Sequence, residues 1–340
     1  MSDLTQLKRT GLFTVTAEDD HALAHFLSSS EEPSRGEDFW RKRLRFWWEE
    51  NPAFSPDLER GWMLQNDGTI VGFIGRVPTF FQRQGAAVTA FAVTTWRVLA
   101  AHRNQSMKLL FQFLKASEDR LLFDTTPDPA VAKILERSGF GPLPVKDPRA
   151  SFALLSPFPL KIFQKFRGGK FKSETGTEVK RVEKADSAFD ELWQRTKGRY
   201  FDTNVRTAEV LNWYCFKSPH ARKDLFGFYR EGRLEGYAVM WGRQAKTRRE
   251  FECVDLWTDP SDEKMVPSLV RAILDDAGKN SYDLVFFPHF DPSFSGGFKK
   301  CGLFQRKISR GDRYVKREEC GRMFRADNSY FVGCQGDFGL

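Results

Sequence analysis

Apolar and polar positions along this chain follow two rhythms in turn, alternation at every second residue for strands and a return every three to four residues for helices. A short strand over residues 12–15 leads into amphipathic helical stretches that close at Trp47, Trp48 and Pro52. A hairpin of long strands follows, its turn marked by Asp67–Gly68, because Asp-Gly accepts the left-handed backbone that a tight hairpin needs. Then come a helix, a strand over residues 120–124, a helix opened by Asp128–Pro129, and a last strand after Gly139–Phe140. Aspartate before proline starts a helix well: the carboxylate accepts from orphan amides, and proline has none to leave unpaired.

From residue 178 the same order begins again. A strand over 178–182 precedes helical stretches closing at Trp213 and Pro219, Glu231–Gly232 repeats the hairpin turn, and Trp257 ends a middle strand as Trp96 does. A strand over 282–287 then leads to Asp291–Pro292, whose spacing to Gly302 equals that from Asp128–Pro129 to Gly139. Matches kept in one order predict an internal duplication. The expected fold class is α/β, with mixed and mostly antiparallel sheets flanked by helices. Two tandem domains, residues 1–160 and 178–340, are joined by a linker over 161–177 rich in Lys, Gly and Ser.

Composition changes this picture little. With 340 residues, 41% hydrophobic and 29% charged, the chain is long enough for two cores and too apolar for disorder. Five cysteines (Cys215, Cys253, Cys301, Cys320 and Cys334) lie in the second half without paired spacing, which predicts reduced thiols and a cytoplasmic location. No stretch reads as a signal peptide, and none approaches the roughly 18 apolar residues of a membrane span. The net charge of +8 suits an anionic partner such as a phosphorylated cofactor, RNA or a membrane surface. The linker mixes Phe with Lys and Arg, so peripheral membrane contact is one reading and a plain basic connector the other.

The order of a glycine hairpin, a strand running into a basic loop and helix, then a strand and a helix ending in Gly-Phe resembles the GCN5-related N-acetyltransferase (GNAT) superfamily. The resemblance covers residues 10–155 and again 179–332. In that family a strand is followed by R/Q-x-x-G-x-G/A at a helix start, where the diphosphate of acyl-CoA is held. Here the stretch is Trp96-Arg97-Val98-Leu99-Ala100-Ala101-His102-Arg103-Asn104-Gln105-Ser106-Met107-Lys108. Amides at a helix N-terminus make a positive cradle for phosphate, and the strand before it can pair its backbone with the amide-bearing pantetheine arm. The expected cofactor-binding residues are therefore Trp96 to Ala100 and Arg103 to Lys108, with acetyl-CoA or another acyl-CoA as co-substrate and no metal. Ser106 and Lys108 replace the small residues of the motif, so a hydroxyl and a cation must take over contacts that glycine leaves to the backbone. In the second half, Asp259, Asp262 and Glu263 stand at the corresponding place, and carboxylates repel phosphate. That domain is expected not to hold the cofactor and to form a wall of the acceptor cleft.

Acyl transfer to an amine needs a base, a polarised carbonyl and a proton for the departing thiolate. The tyrosine that often serves as acid in the family is replaced by Leu135, and by Phe298 in the repeat. Candidates for catalysis are Asp124 at a strand end, equally readable as a turn residue, His289 after the matching strand, and Asp255. Glu252 and Asp255 stand three apart on one strand and by simple alternation face opposite sides. No P-loop, dinucleotide fingerprint, H-E-x-x-H or zinc-spaced set is present. The resemblance implies an N-acyltransferase, N-acetyl first, acting on the amine of a small metabolite or amino sugar. Alternatives are a Fem-type transferase using aminoacyl-tRNA, the one reading with a nucleic-acid partner, or a catalytically inactive binding protein. Oligomeric state is not encoded in these patterns.

Overall fold

The computed structural model describes residues 10–30, 35–118, 120–143, 149–156, 175–259, 262–288, 291–307, 314–316 and 328–332. Residues 161–174 of the expected linker lie outside that set, as do Cys320 and Cys334.

Two mixed sheets form. The first runs β1 (Gly11–Thr14), β2 (Gly61–Asn66), β3 (Thr69–Arg83), β4 (Ala86–Val98), β5 (Leu121–Asp124), then β15 (Tyr314–Lys316) and β6 (Phe140–Pro142). The second runs β14 (Phe304–Lys307), β7 (Arg149–Leu154), β13 (Leu284–Phe287), β12 (Arg248–Trp257), β11 (Arg233–Ala245), β10 (Lys223–Arg230) and β8 (Thr177–Val182). In each, a hairpin of long strands sets the register. Asp67 and Gly68 have φ of 49° and 80°, and Glu231 and Gly232 have 51° and 80°. Two consecutive positive φ values give a turn whose twist matches that of the flanking strands.

The sheets exchange strands. β7, from the first half of the chain, lies between β13 and β14, while β15, from the second half, lies between β5 and β6. The boundary expected at residue 160 is thus crossed in both directions. A further pair, β9 (Asp202–Asn204) and β16 (Ser329–Tyr330), joins the first sheet where β9 bonds β3 at Phe81 and Gln82, beyond the end of β2.

On the first sheet, α3 (Ser106–Lys115) and α4 (Pro129–Arg137) cover one face over a core of Trp62, Phe91, Leu109, Phe113, Leu122 and Leu135. The largest core cluster spans both halves. It takes residues from α1 (Asp20–Ser29), α2 (Glu37–Trp47), α5 (Ser187–Thr196), α6 (Ala208–Asn212) and α7 (Met265–Lys279). At its centre Phe46 stacks on Trp213 with centroids 4.9 Å apart, and the Trp213 indole donates to the Phe46 carbonyl at 2.9 Å. No described helix is long and apolar enough to cross a membrane.

Candidate functional site

The site is made by the parting of two strands. β4 bonds β3 along most of its length but bonds β5 only where Ala90, Phe91 and Ala92 face Leu121, Leu122 and Phe123. Beyond Ala92 the parallel neighbours separate. β5 itself ends at Asp124, and in the next stretch of β4 the β3–β4 register shifts between Phe73 and Gly75 while Thr95 adopts φ of 50°. A bulge of this kind bends a strand and increases its local twist. Gly75 is required opposite it, since a Cβ there would come within 2.6 Å of Thr94 Cγ2.

The opening is a cleft of about 550 Å³. Trp96, Arg97, Val98 and Leu99 from the end of β4 form one side, and Val131 and Ile134 of α4 form another. Ala100, Arg103 and Ser106 line the end nearest α3, and Ser30, which ends α1, completes the lining. Residues 100–105 form a 3-10 helix that runs directly into α3. With three residues per turn, side chains three apart eclipse, so Ala100, Arg103 and Ser106 fall on one stripe.

That geometry corrects part of the sequence reading. The amides at the start of α3 do not all point outward: His102 N donates to Leu99 O at 2.9 Å, and Ser106 N donates to Arg103 O. The tighter helix consumes donors that a bare turn would expose, and the Arg103 and Ser106 side chains line the cleft at this end. Seven of the expected cofactor residues line the cleft. Lys108 instead reaches Gln105 Oε1 at 3.4 Å on the exposed face, Met107 packs into the core under α3, and Asn104 is exposed.

Of the expected catalytic residues, the described ones, Asp124 and Asp255, are not in the cleft lining. Asp124 ends β5, buried, and accepts from Thr126 N at 3.1 Å, the geometry of a turn-forming aspartate. It does not line the cleft. His289 lies outside the described residues. Asp255 is only 1% exposed, and Arg206 Nε approaches its two oxygens at 3.0 and 3.3 Å while Tyr237 donates to it at 2.9 Å. This enclosed ion pair gives Asp255 a structural partner away from the cleft lining. Glu252 binds Arg243 at 2.9 Å, and the extra residue at Val254 breaks the alternation that would have related its face to that of Asp255. Leu135 is fully buried, so that position supplies no proton.

The second sheet parts in the same way, since β12 bonds β13 only at Glu250, Phe251 and Glu252. There the gap is filled. The Tyr330 hydroxyl donates to the Leu256 carbonyl at 2.8 Å, its ring stacks on Trp257 at 6.0 Å, and Arg206 lies over Trp257 at 4.2 Å. Tyr200 packs on both rings and donates to Asp291 at 3.2 Å; burial and the Asp291 carboxylate push its hydroxyl well above the ordinary tyrosine range.

Sequence reasoning missed Ser30, Val131 and Ile134. The latter two sit three apart on an amphipathic helix, a pattern that also reads as plain core, and Ser30 arrives only through the packing of α1.

No family model and no curated relative matches the sequence. Solved structures do. A conserved protein of unknown function from Enterococcus faecalis V583, described as a probable N-acyltransferase, aligns with TM-score 0.61 and 10% identity over 92% of this chain and 73% of its own. A GCN5-related N-acetyltransferase from Anabaena variabilis gives 0.60 and 11% over 90% and 72%. The N-myristoyltransferase of Saccharomyces cerevisiae with bound myristoyl-CoA gives 0.52 and 13% over 92% and 83%. At such identities the likeness establishes architecture: this chain has the fold of the GCN5-related N-acetyltransferases, built from two mixed sheets.

Proposed function

We propose that this protein is an acyltransferase that takes its acyl group, acetyl first, from acyl-CoA bound in the cleft between β4 and β5 and delivers it to the amine of a small metabolite or amino sugar. The observation that carries this reading is the coincidence of strand parting and lining. The backbone edge of β4 that β5 leaves beyond Ala92 borders a cleft with a cationic, hydroxylated end at Arg103 and Ser106 and an apolar wall at Val98, Val131 and Ile134. A diphosphate suits the first, and the pantetheine arm suits the strand edge as a short added strand.

The amine must lose a proton and the departing thiolate must gain one. Asp124, at the end of β5, and His289 are the candidates for the base in this proposal. The second sheet serves as support and acceptor wall, because its own parting is filled by Tyr330 and Trp257.

Calorimetric titration of the purified protein with acetyl-CoA tests the reading, with binding expected and its absence at near-saturating ligand sinking it. Arg103→Ala should weaken that binding by about tenfold or more, the worth of one hydrogen bond to a charged group. Binding without turnover of any amine would favour the inactive reading. Salt-sensitive retention of tRNA would favour the aminoacyl-tRNA-dependent one.

A further inference from the structure

Along β4 the cleft lining runs from Leu99 inward to Trp96. Trp96 is the lining residue on that strand farthest from Arg103; its neighbour Thr95 is half-buried and does not line the cleft, and beyond it Thr94, Val93 and Ala92 are 2%, 3% and 0% exposed. Trp96 and Val98 pack against the core under α3 and α4, the same cluster that holds Val131 and Ile134 from the opposite wall. The indole is the largest side chain in the lining. The cluster it packs against includes Phe91, Leu122 and Leu135, all fully buried.

We propose that Trp96 closes the acyl end of the cleft and sets an upper limit on the acyl chain the donor carries, admitting acetyl-sized groups and excluding medium and long chains. This rests on the acyl-CoA reading above. An acyl group enters from the phosphate end and meets the indole at the apex. Each further methylene must either displace packed core or remain in water, and interiors tolerate neither overfilling nor voids. A smaller side chain at position 96 opens room walled by Leu122, Leu135 and Ile134, which is apolar and so receives a hydrocarbon chain.

The experiment is a set of calorimetric titrations with acetyl-CoA and octanoyl-CoA on the full chain, its Trp96→Leu variant and its Ile134→Ala variant. The parent is expected to prefer acetyl-CoA by at least about tenfold, since misfitting methylenes are discriminated on that scale. In Trp96→Leu the ratio of octanoyl to acetyl affinity should rise at least about tenfold. Should that variant fail to melt cooperatively, Ile134→Ala, on the facing wall, carries the same expectation of a raised ratio. A parent that binds octanoyl-CoA as tightly as acetyl-CoA overturns the limit while leaving the donor reading intact. An unchanged ratio in a folded variant does the same. Absence of binding by either thioester overturns both.

Discussion

At the scale of single residues, the clearest assignment is Arg206 with Asp255. Burial works against the Arg206 charge, but the Asp255 carboxylate outweighs it and holds the guanidinium above its ordinary range. The pair also ties elements together, because Arg206 donates to Thr203 Oγ1 at 2.8 Å and to Asn204 O at 2.6 Å in β9 while gripping β12. Asp255→Ala leaves a buried cation without its counter-charge and should cost about 3–5 kcal/mol, read from urea unfolding. Acetyl-CoA affinity of the folded fraction should not change, and a large loss of affinity at full stability would contradict the structural role. The thiols fit the same picture: burial pushes Cys215 up to about 12 and Cys301 up to about 11, so both stay protonated and inert.

At the scale of elements, α4 links stability to the cleft. Asp128 Oδ1 accepts from Ala130 N at 2.8 Å and Val131 N at 2.9 Å, with Pro129 at the first helical position. Asp128→Ala should therefore cost about 0.5–2 kcal/mol of stability, measured by thermal or urea unfolding. Because Val131 and Ile134 stand on the turns that this cap orders, acetyl-CoA binding should weaken as well, whereas a surface substitution at the other end of α4 should leave binding alone. The 3-10 run before α3 makes a related point. The polar and basic residue types of this stretch were legible in the sequence, but that they form a 3-10 helix following a strand irregular at Thr95, rather than a bare turn, was not.

At the scale of the molecule, exchanged strands and a core shared by both halves predict one cooperative transition. Near- and far-ultraviolet dichroism should report coincident urea midpoints, and separated midpoints would mean that the halves unfold independently. The junction carries a pH dependence. His220 stacks on Phe39 of α2 at 3.8 Å and contacts the Phe39 carbonyl at 3.2 Å. Burial lowers its pKa below the ordinary 6.5; the carbonyl opposes this, and Arg43, Lys42 and Arg35 add to it. The unfolded chain thus takes up the proton first, so stability is complete above that value and falls as pH drops through 6.5 toward the lowered one. Urea midpoints from about pH 7.5 to about pH 5 should show this decline, reduced in His220→Gln.

What the sequence determined by itself was set by neighbours a few residues apart. The hairpin turns at Asp67–Gly68 and Glu231–Gly232, the capped helix at Asp128 and the strand that ends just after Trp96 all follow from local backbone preference and periodicity. Only the tertiary structure decided which strand fills which sheet, that Tyr330 occupies the second parting, that Asp255 is neutralised by Arg206, and that Ser30 reaches the cleft. Strand pairing and charge burial are settled by contacts between segments far apart in the chain, where many partners satisfy the same alternation and only packing selects one.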